Sequence, residues 1–201
     1  MGRAGTHSGR TPPGSLPMWM TRSKKSPWLL AFALLAAPAA LAAVQRVGDA
    51  SATFTGKGPG GFKLEGHTGE LRLEDAGAQL RIVVPLAHLE TGIDLRDRHM
   101  REKYLEVQKY PDAVLEVPWS ALKLPEDGKA STGEARGKLT LHGRTKEVPF
   151  QYTVQRTGAA YQVSGSMPVN LKDFGIEVPS YMGVTVKPDI QTAVRFGATK
   201  S

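Results

Sequence analysis

From residue 50 onward, apolar residues recur at every second position through most of the chain. A period of two is the spacing of a strand with one buried face and one wet face. "LRIVVPL" puts Leu80, Ile82 and Val84 on one side, and "VPFQYTV" does so with Val148, Phe150, Tyr152 and Val154. "YQVSGSM" aligns Tyr161, Val163 and Met167, and "IQTAVRF" aligns Ile190, Thr192, Val194 and Phe196. About eight segments carry strand signals. They lie near Ala50–Lys57, Phe62–Glu74, Gln79–Pro85, Ala113–Pro118, Ala130–Leu141, Thr145–Gln155, Ala160–Pro168 and Val184–Ala198. Turn residues separate several of them: "GPGG" at 58–61, "EDAG" at 74–77, "PEDG" at 125–128 and "HG" at 142–143. Short strands joined by tight turns pair antiparallel. With hardly any helix to cover the apolar face, such a sheet closes into a barrel or stacks as a sandwich.

One segment departs from the strand period. Between Asp94 and Tyr110–Pro111, Met100, Tyr104 and Val107 fall at i, i+4 and i+7, the spacing of one helix face. Pro111 then returns the chain to a strand. Asp94 is expected to cap the helix, with Asp97 completing an approximate capping box. Asp97 with Arg101, and Arg98 with Glu102, are expected to pair at i, i+4.

The ends of the chain read differently. "RSKKSP" followed by "WLLAFALLAA", Trp28 to Ala37, has the form of a secretory signal peptide. The apolar run is too short to span a bilayer. "ALA" at Ala40, Leu41 and Ala42 is a small-x-small cleavage site. Residues 1–17 have no place in a signal peptide, so Met18 or Met20 is a candidate start. Residues 1–43 are therefore expected to be leader and 44–201 one mature domain, periplasmic or secreted, with no transmembrane segment. Charge changes little in this picture. The net +7 is concentrated in the leader, where Arg3, Arg10, Arg22, Lys24 and Lys25 face no acid. That leaves 21 of the 26 basic residues against all 19 acidic ones, which gives no footprint for a nucleic acid. The absence of cysteine removes thiol nucleophiles and cysteine metal sites.

Candidate chemistry centres on "GIDLRDRHMREKYL", Gly92 to Leu105. Asp94 and Asp97 can share a helix face, but His99 lies two residues from Asp97 and diverges from it. There is no H-E-x-x-H spacing and no G-x-S-x-G elbow. "GKGPGG", Gly56 to Gly61, lacks phosphate-loop order and reads as a hairpin turn. His142-Gly143 reads as the tight turn of a second hairpin. An enzyme or metal site using His99 and Asp97 on a barrel scaffold is the alternative reading. A barrel filled by its own side chains, acting as a structural or stress-response partner, is another.

Three ordered stretches carry a family resemblance: "LETGIDLRDRHMREKYLEVQKYPDAVLEV", "GKLTLHGRTKEVPF" and "LKDFGIEVPSYMGVTVKPDIQ". Over about Ala50 to Gly197, the chain resembles the YceI family of exported bacterial proteins. The resemblance implies an eight-stranded antiparallel lipocalin-like barrel with one short helix inserted after the third strand. It further implies an apolar cavity holding a polyisoprenoid or other long-chain lipid, with no catalysis and no cofactor. The protein would serve transport, storage or envelope stress response. The apolar residues expected to line the cavity are Phe54, Phe62, Leu64, Ile82, Val84, Met100, Phe150, Met167 and Met182. Arg96, Asp97, His99 and Tyr181 are the candidates for the polar head, Arg96 because a guanidinium can hold a phosphate bidentately. Barrels of this type can also form homodimers.

Overall fold

A computed structural model of the protein describes residues 44–181 and 184–200. The leader expected over 1–43 lies outside them. The described chain builds eleven strands: β1 (Val44–Lys57), β2 (Lys63–Thr68), β3 (Arg72–Asp75), β4 (Gln79–Pro85), β5 (Asp112–Pro118), β6 (Ala130–Leu141), β7 (Arg144–Thr157), β8 (Ala160–Asn170), β9 (Ser180–Tyr181), β10 (Val184–Thr185) and β11 (Asp189–Lys200). Nine form one sheet in the order β2-β1-β11-β8-β7-β6-β5-β4-β3, with every pair antiparallel. β9 and β10 make a separate ribbon. The sheet curls into a half-barrel and brings β3 back against β1. An all-β antiparallel fold with one short helix, α1 (Asp94–His99), is what the sequence led one to expect.

The details of that expectation need correction. The sheet has nine strands rather than eight, and its two ends, β2 and β3, are not hydrogen-bonded to each other. The stretch Phe62–Glu74 is two strands, because a turn intervenes in which the Glu70 N–H donates to Thr68 Oγ1 at 3.0 Å. The stretch Val184–Ala198 is likewise split. The Lys187 N–H leaves the ladder to reach the Lys57 carbonyl, and Pro188 has no N–H to give. The helix consequently follows the fourth strand, not the third.

The helix itself is shorter than its apolar spacing suggested. It passes into one widened π-turn, Met100–Tyr104, where the Leu105 N–H donates to the Met100 carbonyl. Glu106, at φ 45°, ends it well before Pro111. A left-handed residue cannot continue a right-handed helix. Met100, Tyr104 and Val107 still pack against the core as the spacing required.

The alternation in β7 is carried through in the packing. Val148, Phe150, Tyr152 and Val154 are buried, while Pro149, Gln151 and Gln155 are exposed. Burying each such side chain contributes about 1.5–3 kcal/mol. Leu80, Ile82, Leu115, Val117, Leu139, Leu141 and Phe196 join them from neighbouring strands. At the β6–β7 hairpin, His142 and Gly143 have φ 51° and 71°, and Leu141 pairs with Arg144. Positive φ at both central residues matches the twist of the flanking strands.

Candidate functional site

The concave face of the sheet encloses a cavity of ≈ 720 Å³. That lies within the usual range for small-molecule sites, roughly 300–1,000 Å³. Its walls come from alternate positions on many strands. Phe54, Leu64, Val84, Leu139, Leu141, Met167, Val169, Ile190 and Val194 all face it. A smaller lobe of ≈ 130 Å³ adjoins it among Ile82, Leu115, Val117, Phe150, Val154 and Val163. Val84, Ala113, Leu139, Met167 and Val194 line both lobes, so they mark the waist between them. Gly66 gives the ring of Phe54 its place in this wall. A methyl group there would overlap the ring of Phe54, which leans across it.

The wall is almost wholly apolar; Thr53 and Thr192 line it from β1 and β11, and its charged and titratable side chains come from the helical segment. Thr91, Arg96, His99 and Tyr104 line the cavity where that segment crosses the mouth. Thr91 is the centre of a compact network. Its N–H donates to Asp97 Oδ1 at 2.8 Å, and its hydroxyl donates to the same oxygen. Arg96 Nε donates to the Thr91 hydroxyl at 2.7 Å, and a terminal nitrogen of Arg96 donates to the Thr91 carbonyl at 2.7 Å. Arg101 reaches back to the Leu89 carbonyl at 3.0 Å. The sequence TG-x-x-x-RD therefore folds on itself. Asp97 is 5% exposed, and a buried carboxylate needs such donors.

This arrangement overturns the capping expectation. Asp94 is the first helical residue, Ile93 occupies the cap position, and no side chain caps that end. Asp97 reaches back six residues to Thr91 instead. Neither Asp97–Arg101 nor Arg98–Glu102 is an ion pair among the described residues, because Asp97 and Arg101 are both engaged with backbone further back.

Of the thirteen residues proposed from sequence as ligand contacts, the structure brings eight around the larger lobe: Phe54, Phe62, Leu64, Val84, Arg96, His99, Met100 and Met167. Ile82 and Phe150 line the smaller lobe. Met182 and the side chain of Tyr181 lie outside the described residues. Asp97 turns into the Thr91 network while His99 is exposed at the mouth, and the two share no hydrogen bond. Two of Arg96's donors are spent on Thr91, so its guanidinium is held in place before any ligand arrives.

Sequence reasoning missed several wall residues. Leu86, Leu89, Leu105, Leu171 and Ile176 lie in turns or outside regular strands, where no period of two marks them. It also missed Ile93 and Leu95, which are 53% and 51% exposed at the rim, with Phe62 at 39%. Their signal was present: two apolar residues on a helical segment, outside the stripe formed by Met100, Tyr104 and Val107.

Comparison with known proteins agrees with this geometry. A family model for the YceI-like domain matches residues 42–198. UPF0312 proteins of Pseudomonas savastanoi pv. phaseolicola and Pseudomonas syringae pv. syringae are each 32% identical to the chain over 124 residues. The match takes in 56% of this chain and spans 60% of the length of those relatives. Among solved structures, a polyisoprenoid binding domain from Saccharophagus degradans superposes with a TM-score of 0.66 at 17% identity. It covers 80% of this chain and 99% of that one. BcnA of Burkholderia cenocepacia gives 0.60 at 18% identity, covering 75% and 96%. At these identities the likeness is one of fold.

Proposed function

The chain belongs to the family of YceI-like domains, and on that premise we propose that it is an exported, non-catalytic binding protein for a long-chain amphiphile. A polyisoprenoid or a fatty-acyl lipid is the class of ligand. The observation that carries this reading is the almost wholly apolar cavity of ≈ 720 Å³, with its charged and titratable side chains, Arg96, His99 and Tyr104, coming from the helical segment alone. Each buried methylene contributes about 0.8 kcal/mol, so a chain of about ten carbons binds tightly without a polar contact. The polar head would then rest beside Arg96 and His99, with the tail passing the waist at Met167 toward Ile82 and Phe150. The polyisoprenoid binding domain of similar fold supports the ligand class. Export to the periplasm rests on the signal-peptide pattern before Ala43.

The test is solvent extraction of the purified protein followed by mass spectrometry. The expected result is a co-purifying isoprenoid or fatty-acyl lipid. A protein that comes out empty and then takes up neither a fluorescent fatty acid nor an isoprenoid probe overturns the proposal.

A further inference from the structure

Phe62, Ile93 and Leu95 are three of the four large apolar side chains exposed among the described residues. All three stand on the rim of the same cavity. They come from two separate tips, the β1–β2 turn and the start of α1. Water would be expected to select against such a cluster unless something covers it, and exposed apolar patches with a polar surround mark interaction sites. Basic side chains surround this one. Lys57 and Lys63 face each other across β1 and β2, and the Lys187 N–H bonds to the Lys57 carbonyl at 2.6 Å. Arg98 and Lys103 are exposed on the helical segment. The exposed acids nearby are Asp94, Glu102, Glu90, Glu177 and Glu65, the last 3.7 Å from Lys63 in an exposed pair. Over the rim segments 57–63, 93–103 and 185–188 there are seven basic residues and three acidic ones; with Arg96, Arg101 and Asp97 engaged in the Thr91 and Leu89 contacts, five basic residues stand against Asp94 and Glu102.

We infer that this rim docks the cavity mouth onto an anionic lipid bilayer, with Phe62, Ile93 and Leu95 entering the interface and the lysines and arginines meeting its head groups. An apolar cluster bordered by cations is the composition that binds such surfaces. The inference rests on the lipid-binding reading above, and it adds a route. A lipid leaving the bilayer beneath the rim enters an apolar cavity without crossing water.

The absence of cysteine makes a local test available. Full-length protein carrying Leu95→Cys is labelled with the environment-sensitive dye NBD, and Gln155→Cys, on the exposed face of β7, serves as control. Both are mixed with vesicles of phosphatidylcholine alone or with added phosphatidylglycerol. The expected result is a blue shift and rise in emission at position 95 but not at 155, larger with phosphatidylglycerol and weakened by salt. A second variant, Ile93→Ser with Phe62→Ser in the Leu95→Cys background, should lose most of that shift. No change at position 95, or an equal change at 155, overturns the inference. So does a shift that appears on concentrating the protein without vesicles, which would make the rim an interface between two copies. Lipid extraction separates the two proposals: a protein that yields lipid but gives no shift at position 95 lacks the docking surface and keeps the carrier function.

Discussion

Thr91 shows how much one small residue can organise. Its amide, carbonyl and hydroxyl are all bonded to Asp97 and Arg96, the two adjacent residues that also set how α1 lies over the mouth. Replacing it with valine keeps the shape, removes the hydroxyl and leaves the buried Asp97 carboxylate with one donor fewer. Such a loss costs about 1–3 kcal/mol. Thr91→Val should therefore lower the urea midpoint of unfolding by that equivalent, and Thr91→Ser should recover most of it. An unchanged midpoint in Thr91→Val would mean that the network is not needed for stability.

At the scale of elements, the segment after the helix is tied to the sheet through His142. Its Nε2 lies 2.7 Å from Glu106 Oε2, its Nδ1 lies 3.3 Å from the Phe174 carbonyl, and Tyr110 packs on its ring at 4.5 Å. One residue of the β6–β7 turn thus holds the end of the helical insertion and the Leu171–Phe174 turn together. His142→Asn tolerates the positive φ of this turn but cannot span to Glu106. It should destabilise the fold by roughly 1–3 kcal/mol, and amide exchange should speed up at residues 105–110 before it does in β7. Uniform exchange across both would count against the clasp. Much at this scale was legible in the sequence. The faces of β4, β7, β8 and β11 follow from alternation alone, and both hairpin turns follow from their glycines. What misled was local chemistry with more than one outlet. Asp94 and Asp97 satisfy a capping pattern, yet Thr91 competes for Asp97 and wins, because its N–H and hydroxyl converge on one oxygen.

For the whole molecule, the decisive quantity is the shape of the interior. Met167 stands at the waist shared by both lobes. A larger side chain there should block the smaller lobe while leaving the larger one open. Met167→Trp is expected to weaken binding of a long-chain fluorescent fatty acid by at least about tenfold, the equivalent of ~1.4 kcal/mol, with little effect on a short-chain one. Equal loss for both chain lengths would show that the lobes do not serve one ligand. By itself the sequence determined the antiparallel sheet, its apolar face, the single helical insertion and the family, because hydrophobic period and turn residues act over a few positions. Only the tertiary structure decided that this apolar face surrounds a space instead of filling it. That outcome depends on the curl of nine strands and on side chains brought together from positions far apart in the chain. The exposed rim is of the same kind, since Phe62 and Leu95 become neighbours on one mouth only after the sheet has curled and laid α1 across its open end.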